Sequence, residues 1–169
     1  MTEIELDGWR RTHYSNELVS SLDELDVIVM GWISSVRGHG NISFVTIEDM
    51  TGQIQIVSKK GVCPDQVLEE ISKLKEHTCI GIKGRIKKSE KAPNGIEVIP
   101  NDLRIFSDVK IIPPFDPNAK TVKNIDTRLE IRAVDLRRNT LKKVFVARNE
   151  ILKSIRNYYL KRPYSITKI

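Results

Sequence analysis

The chain has 169 residues, with 28 Lys and Arg against 22 Asp and Glu, a net charge of +6 and a hydrophobic fraction of 40%, enough for one domain of ordinary size with an appendage. Cys63 and Cys79 are its two cysteines and lack zinc-ligand spacing, so disulfide scaffolds and zinc modules are excluded. No apolar run reaches the ~20 residues of a membrane span, no secretory leader is read, and a soluble protein of a reducing, cytoplasmic compartment is expected.

In chain order, residues 26–37 predict a long strand, with Gly31 marking a bend or a close backbone approach. Gly38-His39-Gly40-Asn41 is the loop to a hairpin over 42–57, turning at Asp49-Met50-Thr51-Gly52. His39 in that glycine loop reads as incidental rather than catalytic. From Pro64 to Lys75 the residues Val67, Leu68, Ile71 and Leu74 recur at helical spacing. Strands follow at 78–88 and 96–106, separated by a loop ending in Pro93-Asn94-Gly95. Three strands, a helix and two strands is the order of the OB-fold, a five-stranded Greek-key barrel, here assigned to residues 10–108.

Pro113, Pro114 and Pro117 predict an extended, stiff linker over 109–127. Residues 128–169 then form a basic amphipathic extension. They carry 12 Lys and Arg against 3 acids, whereas residues 1–127 carry 16 against 19. Leu141, Val144, Phe145, Ile151, Leu152, Ile155, Tyr158 and Tyr159 lie at i, i+3, i+4 spacing on a long helix from about Thr140 to Lys161. That stripe needs a cover: the barrel, a second copy, or a domain outside these residues.

Strand alternation in the hairpin divides its side chains. Val45, Ile47, Ile54 and Ile56 point one way; Phe44, Thr46, Glu48, Gln53 and Gln55 point the other. Phe44 is thus an apolar ring on a polar face. It either packs beneath a loop or stacks on an unpaired base whose edge the two glutamine amides read. Its place on strands 2 and 3 of an OB order, the oligonucleotide face of that fold, favours the second reading. On the fourth strand Lys83, Arg85 and Lys87 alternate with Ile82 and Ile86, giving a basic stripe suited to phosphates or simply a solvated outer face. Trp32 falls on the side of Ile28, Met30 and Val36, where packing is the default. No triad, metal set or phosphate-cradling glycine loop is read, so no catalytic residue and no cofactor is assigned and a binding module is the better class.

Several segments carry a resemblance. Val27-Ile-Val-Met-Gly-Trp32 with Arg37, Phe44 and Gly52-Gln-Ile-Gln55, then Lys91-Ala-Pro-Asn-Gly-Ile-Glu97, then Asp126-Thr-Arg-Leu129 with Asp135-Leu-Arg-Arg138, resemble in order the amino-terminal part of an aspartyl-tRNA synthetase of the archaeal and eukaryotic type. Arg11-Thr-His-Tyr-Ser15 fits the same family, and the resemblance runs from about residue 10 to 158. It implies an anticodon-binding barrel whose partner is a tRNA for Asp. Phe44 would stack on an anticodon base, Gln55 would bond a base edge, and Arg37 would contact the same loop. Glu97 stands where the family has a base-contacting acid; Gln53 rests on strand geometry alone.

The resemblance stops short of the first catalytic signature, since Arg162-Pro-Tyr-Ser-Ile-Thr-Lys-Ile169 lacks the Glu and the Pro expected there. Aminoacylation by these residues alone is therefore not expected. Two other readings stay open: a single-strand binder indifferent to sequence that uses the Lys83, Arg85 and Lys87 stripe, and an interaction or regulatory protein working through the helix.

Overall fold

The computed structural model describes residues 8–121 and 123–162, apart from the His39 side chain. The expectations for His39 and for Pro163–Ile169 therefore lie outside the described residues. Two compact units are present, Met1–Ile112 and Pro113–Ile169.

In the first unit β1 (Asp26–His39), β2 (Ile42–Glu48), β3 (Gln53–Lys59), β4 (Cys79–Lys88) and β5 (Ile96–Ser107) close a barrel in the order β1-β2-β3-β5-β4, with α1 (Asp65–Ser72) between β3 and β4. All neighbours are antiparallel except β3 and β5, which run parallel through Ile56 and Val98. This is the expected OB-fold. The β-branched side chains of alternate positions fill its interior: Val27, Val29, Ile33, Val45, Ile47, Ile54, Ile56, Ile80, Ile82, Ile86, Ile96 and Val98 form one buried cluster, as a small barrel closed around side chains requires. Helix α1 packs on β2, β3 and β5 and adds Val67 and Ile71 to that cluster. Gly31 marks a close approach: a Cβ there would stand 2.3 Å from the Glu48 carbonyl oxygen, so any side chain would force β1 and β2 apart.

Alternation along β1 is broken between Ile33 and Ser35, where the β1–β2 register shifts. A β-bulge of this kind inserts one residue and resets which side chains face inward. Val27, Val29 and Ile33 point in before it; after it Val36 pairs with Val45 and Arg37 with Phe44. Trp32 is accordingly corrected. It does not share the side of Val36 but points outward, 38% exposed, opposite Glu48.

The Arg11–Ser15 motif is built into this unit. Pairing of β1 with β2 begins only at Trp32, which leaves the edge of residues 26–31 open, and the N-terminal segment covers it. Thr12 N–H donates to the Ile28 carbonyl at 3.0 Å, its Oγ1 accepts from Ile28 N–H at 2.9 Å, and Arg11 donates to the Met30 carbonyl at 3.0 Å. Covering an unpaired strand edge removes a template for aggregation. Beyond it, Asp49 pins the segment to the hairpin turn. Its Oδ2 accepts from Ser15 N–H at 2.7 Å and Ser15 Oγ at 2.8 Å, and its Oδ1 from Thr51 N–H, Thr51 Oγ1 and Gly52 N–H at 2.7, 2.8 and 3.1 Å.

In the second unit α2 (Ile125–Glu130), α3 (Arg132–Asp135) and α4 (Asn139–Leu160) follow a turn at Asp116. Pro113–Pro117 is less a free spacer than proline content suggests, for Phe115 and Pro117 are buried. The two family-like segments meet at Asp135, fully buried and held by Arg128 at 2.9 Å and by Arg132. The Arg128 guanidinium keeps that carboxyl below its usual range against the cost of burial. Arg138, also buried, donates to the Ala119 carbonyl at 3.1 Å. Helix α4 has the expected length, and its apolar stripe is exposed: Phe145 is 46%, Ile151 60% and Ile155 48% accessible.

Candidate nucleic-acid interface

The outward face of β1, β2 and β3 is a set of cross-strand rows fixed by register. Trp32, Glu48 and Gln53 form one row; Ser35, Thr46 and Gln55 the next; Arg37, Phe44 and Val57 the third. Rows on one face lie about 7 Å apart, two residues along a strand. Phe44 is thus half-exposed beside a buried Val57 on one side and Arg37 on the other. Ser35 Oγ lies 3.1 Å from Thr46 Oγ1, so the middle row is a hydroxyl pair with the Gln55 amide alongside.

Glu97 joins this face through β5. The Ile56–Val98 bridge is parallel, so one step back along both strands brings Glu97 beside Gln55. The loop before it is built for the same purpose. Ala92 N–H and Gly95 N–H close two successive turns on Ser89 and Ala92, Ser89 N–H closes the whole loop on the Gly95 carbonyl, Gly95 adopts φ +71°, and the Asn94 side chain donates to the Gln53 carbonyl at 2.7 Å. The Lys91–Glu97 segment is therefore tied to β3 next to the row of Gln53. The Gln53 side chain donates in turn to Glu48 at 3.3 Å.

The predicted residues separate into two groups. Arg37, Phe44, Gln53, Gln55 and Glu97 come together on one face: Phe44, Gln53 and Gln55 by strand alternation, Arg37 and Glu97 by register with β2 and β3. Lys83, Arg85 and Lys87 share no edge with β2 or β3, because β4 neighbours β1 and β5, and of the three only Lys87 adjoins the group, through Glu97 on β5. Two of the three are also occupied. Arg85 is bound to Asp26 at 3.0 Å with Glu24 at 3.9 Å, and Lys83 lies 4.3 Å above the Trp9 ring and 3.9 Å from Asp102. Arg85 and Asp26 strengthen each other's charged forms, the arginine raised and the carboxyl lowered. Lys87 lies opposite Glu97 in the β4–β5 register. The stripe faces its own counter-charges, which periodicity within β4 alone does not reveal.

Strand-parity reasoning missed Trp32, which shares the row of Glu48 and Gln53, and Lys59, which continues the outward series 53, 55, 57 on β3. The signal for Trp32 is present in the sequence: Ile33 and Val36 are both apolar at an odd spacing, which an unbroken strand does not place on one side.

Comparison with known proteins bears on the barrel that carries this face. Residues 27–106 match the family model described as an OB-fold nucleic acid binding domain. Over 149 residues the chain is 43% identical to the aspartate–tRNA(Asp/Asn) ligase of Methanocaldococcus jannaschii, covering 88% of this chain and 34% of that one. The barrel is an OB-fold nucleic acid binding domain related to those of aspartyl-tRNA synthetases. The chain thus spans about a third of the length of the curated relatives it matches. The crystal structure of asparaginyl-tRNA synthetase from Pyrococcus horikoshii superposes with a TM-score of 0.79 at 25% identity, covering 90% of this chain and 36% of that one. The aspartyl-tRNA synthetase of Entamoeba histolytica, at 19% identity, shares the fold with a TM-score of 0.81 over 95% of this chain and 40% of its own. Among the described residues no helix is long and apolar enough to cross a membrane.

Proposed function

We propose that the β1–β2–β3 face binds the anticodon loop of a tRNA for Asp, and that residues 1–169 act as a recognition module without aminoacylation of their own. The observation that carries this is the half-exposed Phe44 ring set between Arg37 and Val57, one row from the Gln55 amide and Glu97. A ring stacks on any base, whereas an amide and a carboxylate accept or donate only to particular edges, so the arrangement joins affinity to discrimination. The relatives' names, aspartate–tRNA(Asp/Asn) ligase, support the same substrate class. A competition titration with RNA stem-loops differing only in the anticodon tests it: binding falls by about tenfold or more when the Asp anticodon is replaced. Equal affinity for every loop would instead identify a binder indifferent to sequence.

The exposed stripe of α4 favours a second property, association with another copy or a partner protein. Burial of Phe145, Ile151 and Ile155 would supply roughly 1.5–3 kcal/mol each, enough to offset part of the cost of pairing. Sedimentation of the 169-residue chain at micromolar concentration then shows a species heavier than 19.3 kDa; a monomer at all concentrations would rule out self-association.

A further inference from the structure

We infer that Lys59, assisted by Lys60 and Arg37, is the phosphate-anchoring end of the recognition face, in place of the basic stripe on β4. This rests on the proposed RNA-binding reading and adds to it a direction for the bound strand.

Phe44 pairs with Val57, and Lys59 stands two residues further on the same outward side of β3, so it is the diagonal neighbour of the ring. Diagonal neighbours lie ~7–8 Å apart, within reach of a long side chain. Arg37 faces Phe44 directly from β1. Register thus sets one cation across from Phe44 on β1 and another diagonal to it on β3. Lys60 follows at the strand end, exposed, with its N–H donating to the Asn41 carbonyl at 3.1 Å. The turn behind them is tight: Val62 and Cys63 N–H both return to the Lys59 carbonyl, at 3.1 and 3.0 Å, and Gly61 takes φ +81°. The two lysines are thus held on a fixed backbone.

Charge compensation separates this end from β4. Among the described residues no acid pairs with Arg37, Lys59 or Lys60, whereas Lys83 and Arg85 each have a carboxylate within 4 Å. An anion arriving at β4 must displace an existing ion pair; one arriving at Lys59 need not. The opposite end of the face carries the buried Glu48, which takes the Gln53 amide, and Glu97, which faces Lys87 across β4 and β5. The face is polarised: backbone phosphates lie toward Lys59, and base edges point toward Gln55 and Glu97.

Salt titration of the full chain with the Asp-type stem-loop tests this. Each phosphate contact on a single strand contributes about 0.7 to the slope of log K against log salt. The double variant Lys59→Ala, Lys60→Ala is expected to reduce the slope by about 1.4, with the preference among anticodons unchanged, while Lys59→Arg, Lys60→Arg retains it. Lys83→Ala with Lys87→Ala is expected to leave the slope as it was. An unchanged slope in the Lys59/Lys60 variant, or a loss in the β4 variant instead, overturns the assignment. Phe44→Ala run in parallel separates the two levels of the argument: if it weakens binding while the Lys59/Lys60 slope stays fixed, only the anchoring inference fails, and if it leaves binding intact, the recognition face itself is wrong.

Discussion

Replacing Asp49 by alanine is expected to cost the barrel about 3 kcal/mol, more than any single exposed substitution. The carboxylate accepts from five donors and is buried, and two of those donors belong to Ser15, 34 residues away. Removing it leaves the Ser15, Thr51 and Gly52 amides without their acceptor and frees the segment that covers the β1 edge. Burial pushes the Asp49 carboxyl up, but the Thr51 and Ser15 hydrogen bonds outweigh it and hold the group below its ordinary value. The sign of the pH effect follows. A carboxyl depressed in the folded state contributes stability that is complete above its unfolded value near 4 and is lost as pH falls through the lower folded value. The wild-type chain should therefore unfold at a lower temperature on acidification below about pH 4. Asp49→Asn, which does not titrate, should be less stable at neutral pH and flatter in that window. Parallel acid curves for the two proteins would show that the pin contributes nothing to the acid limb.

Much of the barrel was legible because its core obeys a period of two. Val45, Ile47, Ile54 and Ile56 on the hairpin, and Ile80, Ile82 and Ile86 on β4, alternate without interruption and are all buried. Phe44 and Gln55 stand out for the same reason, as exceptions on the outward side, whereas Arg37 is reached only through the family resemblance, since the register shift after Ile33 is what sets it opposite Phe44. What the period could not give was whatever depends on a neighbour distant in sequence. Trp32 was assigned to the wrong side because a bulge after Ile33 changes parity midway along β1. Lys83 and Arg85 looked available because Asp102 and Asp26, which compensate them, come from other strands. Asp49 reads as an ordinary turn residue because two of its five donors arrive from Ser15, 34 residues away. The proline segment looked like a spacer because proline fixes φ but says nothing about Phe115, whose burial decides that the segment packs.

Phe44→Ala should weaken binding of the anticodon stem-loop by roughly 1–3 kcal/mol, the usual worth of one base stacked on an aromatic side chain. The ring lies outside the barrel core, whose inward positions on β2 are Val45 and Ile47, so its removal is expected to spare the fold, and an unchanged unfolding temperature would establish that the loss belongs to the site. Two variants sharpen the assignment. Phe44→Trp keeps a π-face and should keep most of the affinity, whereas Phe44→Leu keeps apolar area but no π-face and should behave closer to alanine. Because stacking tolerates every base, the alanine variant should lose affinity for matched and mismatched anticodons by the same factor, leaving their ratio in place. Gln55→Ala and Glu97→Ala should do the reverse, shrinking the ratio, since they remove groups that tell one base edge from another. If Phe44→Ala narrowed the discrimination and the Gln55 and Glu97 variants lowered affinity uniformly, the division of labour along the face would be inverted. If affinity survived the loss of Phe44 in a folded protein, the ring would be packing on Val57 rather than serving RNA.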